Sequence, residues 1–455
     1  MIQKEKIDYK QAGDSCRHKN ENDMPSGNIK SARKRQNAVK FVGLLLSAAV
    51  ILFNFSPRMR AVRALPNAVF VNSSTESNDE RTNALPFDGS NLILSQMGAA
   101  AQSGGALRVA ESGDETLSAK RISIRLFNLF ELANVPVYGH ERAMLHPGGR
   151  AVGISINLRG LLVVGRGTFK NKDGRDCCPA KRAGLRAGDI IKSINGTEIS
   201  TSEEMQLALN ASPERVQIVF ERNDRQQTLT IKPETGIDGK VKIGAWVRDS
   251  TVGIGTLSFV TEKERASAAL GHAVLDADTG SLLAVRKGEM VEADILGVTK
   301  GASGIPGELR GAFGEKSPRI GSIDINTELG IFGTADAADE ILKKSAALPI
   351  AFPNEVHTGK ACIITQTNGE EPQQYECRII KTVQQSAPGQ KGIVVEITDE
   401  RLLSKTGGIV QGMSGSPIIQ DGRVAAVVTH VFVNEPNRGY GVYAFWMYST
   451  ACGGN

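Results

Sequence analysis

Cysteine and aromatic side chains are in short supply. Six cysteines stand at positions 16, 177, 178, 362, 377 and 452. No two are spaced Cys-x-x-Cys, which argues against a cysteine-held zinc, and no metal or organic cofactor is expected. Aromatics make up only 5% of 455 residues. With no zinc-finger spacing and no aromatic-basic platform, nucleic acid is not an expected partner. The formal charge of +5 does not make a broad basic surface: residues 1–40 hold ten Lys/Arg against five Asp/Glu, and the remainder is close to neutral. No apolar run reaches the ~20 residues of an ordinary spanning helix. The longest, FVGLLLSAAVILFNF, covers residues 41–55.

What the chain has is glycine, 49 residues of it, which suits a turn-rich, mostly β protein. At this length two or three domains are expected. Residues 1–37 read as a disordered basic tail. Residues 38–57, with Arg33, Lys34, Arg35 and Lys40 at the near end, read as a signal or signal-anchor segment, its basic side cytoplasmic and the rest exported. A buried core helix is the competing reading of that run. Residues 58–120 read as a flexible linker with one short helix near 91–101, and 121–147 as a strand-rich lead-in.

Two strands with a turn at Arg159–Gly160 are expected within HPGGRAVGISINLRGLLVVGRG. AGLRAGDIIKSINGTEI then gives a short helix ended by Gly184, a strand, and a tight turn at Asn195–Gly196. A helix, SEEMQLALNAS, and the strands VQIVFE and QTLTIKP complete the unit. Together these pieces resemble a PDZ domain over residues 148–233. The loop Arg159, Gly160, Leu161 and Leu162 is the expected site for a peptide tail added as an extra strand. A domain that only packs against its neighbour is the alternative.

From about residue 240 short strands alternate with glycine turns, the pattern of a barrel or sandwich. There GMSGSP, residues 412–417, places a serine between glycines. Either it is a turn chosen for shape, or Ser414 is a nucleophile and the N–H groups of Gly412 and Ser414 form an oxyanion hole. Ser416, held extended before a proline, is the rival. Among histidines, His272, His430 and His357 are candidate bases. His272 lies among small residues near a glycine turn, whereas His430 falls within an apolar strand. The orienting acid is open among Asp276, Asp278, Asp294, Asp324 and Asp399, the last ending the strand GIVVEIT. Cys362 and Cys377 flank a polar stretch and are placed to bridge across it in an oxidising compartment. A lipase-type elbow is disfavoured, because Ser416 stands where it needs glycine and a strand comes after it.

The stretches ALGHAVLDADTG, VEITDERLL and QGMSGSPIIQDGRVAAVVTHVFVNEPNRGYGVYAFWM, with LHPGGRAVGI and the PDZ-like unit, resemble the stage IV sporulation protein B peptidases, PDZ-containing serine proteases of endospore-forming bacteria. The resemblance spans roughly residues 145–447. It implies His272 as base, Asp399 as its orienter and Ser414 as nucleophile. GMSGSP also resembles the GDSGGP of chymotrypsin-like enzymes, although Met413 stands where those have aspartate. The expected architecture is therefore a PDZ domain followed, over 234–455, by a chymotrypsin-like double β-barrel. The resemblance further implies export across the forespore inner membrane, self-cleavage, and cleavage of a membrane-bound regulator of an intramembrane protease that releases a late mother-cell sigma factor. An exported PDZ scaffold with a degenerate protease fold is the alternative.

Overall fold

The computed structural model describes residues 27–55, 67–72, 109–111, 120–126, 130–314 and 316–453. The expected tail before residue 27, the short helix near 91–101, Cys16 and His18 lie outside the described residues. The chain divides into two units, residues 1–64 and 65–455.

In the first unit a 28-residue helix, Gly27–Asn54, joins the basic cluster to the apolar run. Leu44, Leu46 and Leu52 are exposed on it. Among the described residues no helix is long and apolar enough to cross a membrane.

The second unit is nearly all strand. Four strands form a small sheet in the order Val69–Asn72, Phe130–His140, Lys120–Leu126, Val109–Glu111. Two of them fall within the stretch expected to be a flexible linker. Val69–Asn72 runs parallel to Val137–His140. Its Phe70 is 3% exposed and sits 5.0 Å, centroid to centroid, from Phe445 of the C-terminal helix Ala444–Ala451.

Two long strands organise the remainder of this unit. Ala151–Arg166 and Ala245–Thr261 pair antiparallel from Ala245 opposite Arg166 to Thr256 opposite Ala151. The expected turn at Arg159–Gly160 is instead a kink within one continuous strand. Gly160 adopts a φ of +110° there, and an added Cβ would meet Ile191 O at 2.4 Å. Leu158 below the kink pairs with Val285, and Leu161 above it pairs with Ile191. The strand is therefore shared by two modules and is buried along most of its length, as its unbroken apolar sequence requires.

The upper module, inserted between the long strands, has the strand order Arg225–Ile231, Val216–Arg222, Ile190–Ile194, then the upper ends of the two long strands. Helices Pro179–Ala183 and Ser202–Ala211 cover it, and Leu161, Ile191, Leu209, Ile218 and Phe220 fill its core. The second helix opens with a reciprocal cap: Thr201 Oγ1 accepts from Glu204 N, and Glu204 Oε2 accepts from Thr201 N, closing two otherwise free N–H groups. Buried Asp189 is held by Arg222 Nε at 2.6 Å and by the N–H of Arg186.

The lower module has two β layers. The first is a curled sheet built on Ala151–Leu158, Thr251–Thr261, Ala266–Ala269, Val285–Glu292, Arg319–Ile323 and Gly330–Thr334; it also takes in Met144–Pro147, from the expected lead-in. The second is a closed six-stranded barrel in the order Gly359–Thr365, Gln373–Thr382, Ile393–Ile397, Glu435–Tyr443, Arg423–Phe432, Pro417–Gln420. The double barrel is thus one closed barrel and one open curl. Within the closed barrel Cys362 lies directly opposite Glu376, so Cys377 points to the other face of the sheet. Both cysteines are free, and the expected bridge is absent because side chains alternate faces along a strand.

Candidate active site

Ser414 sits on a loop, residues 407–416, delivered by helix Glu400–Thr406 into the barrel strand Pro417–Gln420. The loop is fastened from the other β layer. Thr256 Oγ1 donates to Gly412 O at 2.7 Å, and Thr256 N donates to Ser414 O at 3.0 Å. Gly415 N donates to Val428 O; at φ +104°, a Cβ on Gly415 would lie 2.0 Å from Thr256 O, so only glycine fits. These contacts leave the N–H groups of Gly412 and Ser414 without an acceptor among the described residues, beside the Ser414 hydroxyl. Ser416, the rival nucleophile, is fully buried and donates to Thr365 Oγ1 at 3.0 Å.

His272 comes just after strand Ala266–Ala269, its ring beside that of His430 on strand Arg423–Phe432. A Cβ on its neighbour Gly271 would touch Thr429 Cγ2 at 3.0 Å, and Ser414 Oγ donates to Thr429 O at 2.7 Å. Thr429 thus borders the serine hydroxyl and Gly271, the residue before the histidine. No hydrogen bond joins Ser414 Oγ to His272 among the described residues. His272 Nδ1 lies 2.8 Å from Ala273 O. A carbonyl only accepts, so Nδ1 carries the proton and Nε2 keeps its lone pair, the form a general base needs. Burial pushes the imidazole pKa below its ordinary 6.5. The His430 ring lies 5.0 Å from that of His272, tilted by 39°, and burial and the neighbouring His272 and Lys391 lower its pKa also. His357 is committed elsewhere, to Asp421 Oδ2 at 2.8 Å.

No hydrogen bond joins Asp399 to His272 among the described residues. Its carboxylate caps helix Glu400–Thr406 through Arg401 N at 2.9 Å, pairs with Arg401 Nη2 at 2.7 Å, and accepts from Glu376 N. The Arg401 guanidinium holds its carboxyl far below the usual carboxylate range. Of the other candidate acids, Asp276 and Asp278 bind Arg248, and Asp324 accepts from Ser322. What fixes the histidine turn is Asn326. Its Oδ1 accepts from Val274 N at 2.9 Å, and its Nδ2 donates to Val274 O and Leu283 O. Thr256 and Asn326 carry no motif signature, and sequence reading missed both.

The expected peptide-binding loop lies inside the continuous long strand and is partly engaged by its neighbours. Leu161 and Leu162 pair with Ile191 and Ile190 on one side, and Leu162 pairs with Arg248 on the other. Arg159 N donates to Ala284 O at 3.0 Å. Leu162 is thus paired on both sides, and Arg159 and Leu161 are each engaged on one. The open edge is one strand over. Among the described residues Ala245–Arg248 pairs only with Leu162–Arg166, and its other side faces helix Ser202–Ala211. The helix is tied to that segment through Gln206 Nε2 to Val241 O at 2.8 Å and Ser202 Oγ to Asp249 Oδ2 at 2.9 Å. At its head, the N–H groups of Ile243 and Gly244 donate to nothing among the described residues.

Comparison with known proteins agrees with this division. Residues 175–232 match the PDZ domain family, and residues 239–448 match the SpoIVB peptidase S55 family. Among solved structures, the PDZ domain of an SdrC-like protein from Listeria monocytogenes is 26% identical over 20% of this chain and 90% of that one, with a TM-score of 0.17. The active form of the Rv3671c protease from M. tuberculosis is 17% identical over 45% of this chain and 74% of that one, TM-score 0.25. An inactive form of that protease is 14% identical over 44% and 80%, TM-score 0.23. No curated protein matches the chain.

Proposed function

Because the chain carries a PDZ domain and a SpoIVB-type S55 serine peptidase domain in that order, we propose that it is an exported serine endopeptidase that cuts itself. We further propose that it then cuts a membrane-associated regulator of an intramembrane protease, activating a late mother-cell sigma factor during sporulation. The observation that carries the peptidase reading is the Ser414 loop: a hydroxyl beside two N–H groups that have no acceptor among the described residues, with the His272 imidazole, its Nε2 lone pair free, following Gly271 at Thr429. In this mechanism the Ser414 hydroxyl turns from Thr429 O to His272 Nε2, gives up its proton and attacks the scissile carbonyl. The N–H groups of Gly412 and Ser414 hold the oxyanion. The imidazolium protonates the leaving amine, and water repeats the cycle.

The resemblance assigns Asp399 to orient His272, and a rearrangement that frees it from Arg401 would complete that triad. In the arrangement at hand Ala273 O does the orienting, and Asp399 anchors the helix that delivers the serine loop. The helix Gly27–Asn54 serves as the export or anchoring segment in this reading, with the enzyme acting between the two forespore membranes. The tail-binding partner docks at the Ala245–Asp249 edge.

The Ser414 hydroxyl resting on Thr429 O favours one rival, a scaffold with a degenerate protease fold. Expressing the chain beside its Ser414→Ala variant, and tracking fragment pattern and N-terminal mass, separates the two. Trimming confined to the parent supports the peptidase. Trimming of both, with contaminating protease excluded, overturns it.

A further inference from the structure

We propose that Arg248 is a positioning residue linking the peptide-receiving edge of the PDZ module to the turn that carries His272. The inference rests on the tail-binding reading of that edge and is independent of peptide-bond cleavage. Arg248 lies in the open-edged segment, opposite Leu162, at a break in register where the long strand passes from the upper module to the curled sheet and Ser250 pairs with Asn157. Its guanidinium reaches out of the PDZ module. Nη1 lies 2.5 Å from Asp276 Oδ2, and Nη2 lies 2.7 Å from Asp278 Oδ2.

Asp276 is the nucleus of the turn. Its side chain has no exposure, and its Oδ1 accepts from Asp278 N, Thr279 N and Thr279 Oγ1. Its backbone closes the turn through Ser281 O and Gly280 N. Removing Arg248 leaves a buried carboxylate without its counter-charge, a cost that favours movement of the turn. The turn has little room to move without disturbing the histidine, because Leu283 N donates to Val274 O and Asn326 clamps both strands of the excursion, two residues from His272.

An extended tail with a free carboxylate, laid along Ala245–Asp249, pairs with the backbone that carries Arg248 and competes with the Ser202–Asp249 contact beside it. The N–H groups of Ile243 and Gly244 are the donors for the carboxylate. Tail binding therefore acts on the residue that holds the histidine turn.

The test uses the full chain with Ser414→Ala, so that no self-cleavage intervenes. Diethyl pyrocarbonate modification at neutral pH is read by peptide mass mapping, with the exposed His357 as internal control. Arg248→Ala is expected to change the His272 rate by about fivefold relative to His357, with Arg248→Lys between the two. Asp278→Asn, which breaks only the exposed arm, should also fall between and guards against misfolding of the alanine variant. A fluorescein-labelled hexapeptide ending in a free valine carboxylate should move the parent His272 rate toward that of Arg248→Ala and leave Arg248→Ala unmoved; its C-terminal amide should do neither. A His272 rate unaltered in Arg248→Ala overturns the link. So does an equal response to the peptide in both proteins, or a parent that binds the peptide by anisotropy without a change at His272. A peptide that fails to bind any variant overturns the tail-receiving edge, and the Arg248→Ala comparison then decides the link alone.

Discussion

Thr256→Val isolates what holds the oxyanion loop. The substitution keeps the branched shape at a site 1% exposed and removes only the hydroxyl that donates to Gly412 O. The backbone bond from Thr256 N to Ser414 O remains. The half-buried Gly412 carbonyl left without its donor costs up to about 1–3 kcal/mol, the range for a fully buried group. The cheapest relief is rotation of the peptide just after Gly412, which spoils the alignment of the two N–H groups meant for the oxyanion. If that cost falls on the population of the aligned loop, the reaction slows by roughly 5- to 150-fold, at about 1.4 kcal/mol per tenfold. The assay is the rate at which a fluorophosphonate labels Ser414, read beside the melting temperature. Thr256→Ser, which keeps the hydroxyl, should label near the parent rate. A lowered melting temperature with unchanged labelling would refute the reasoning, because the lost bond would then have supported the fold and not the loop.

Five further outcomes are expected. Ser414→Ala should abolish self-trimming, since the members of such a site act as a unit. The acid limb of the pH–rate profile should fall below 6.5, because burial lowers the His272 pKa and the base works only when neutral; a limb above 6.5 contradicts the assignment. Asp399→Ala should lower the melting temperature at neutral pH, where the depressed carboxylate contributes in full, and the difference should shrink as pH falls below the unfolded value of about 3.9. Asp399→Asn should reduce activity by less than about tenfold, whereas a loss of about 10⁴ would return the carboxylate to the histidine as the resemblance implies. Asn326→Ala should slow Ser414 labelling while Asn326→Asp, which keeps only the acceptor for Val274 N, recovers part of it; equal rates in all three would remove Asn326 from the histidine turn.

The sequence is most legible where one short segment carries a whole device. GMSGSP holds the glycines, the hydroxyl and the free N–H groups together, and AGLRAGD with INGTEI spells its turns locally. The PDZ edge is not legible in this way, because what closes or opens a strand edge is a segment some eighty residues away along the chain: Ala245–Arg248 covers Leu162–Arg166. The kink at Gly160 reads as a turn in sequence, since a glycine after a charged residue satisfies either geometry. Thr256 and Asn326 are ordinary polar residues in strands, and only the folded contacts reveal their partners. Asp399 at a strand end suggests burial and pairing correctly, but nothing in the sequence says that Arg401, two residues on, is the partner.

The two long strands make the PDZ module an insertion whose entry and exit lie side by side. Asn157 and Ser250 face each other across the ladder below the module. A two-residue turn joining them would shorten the chain to a plain hairpin and leave the curled sheet's hydrogen-bonding frame in place. The peptidase half is thus separable by design from the half that listens for a partner, even though no cut at a single point in the chain can part them.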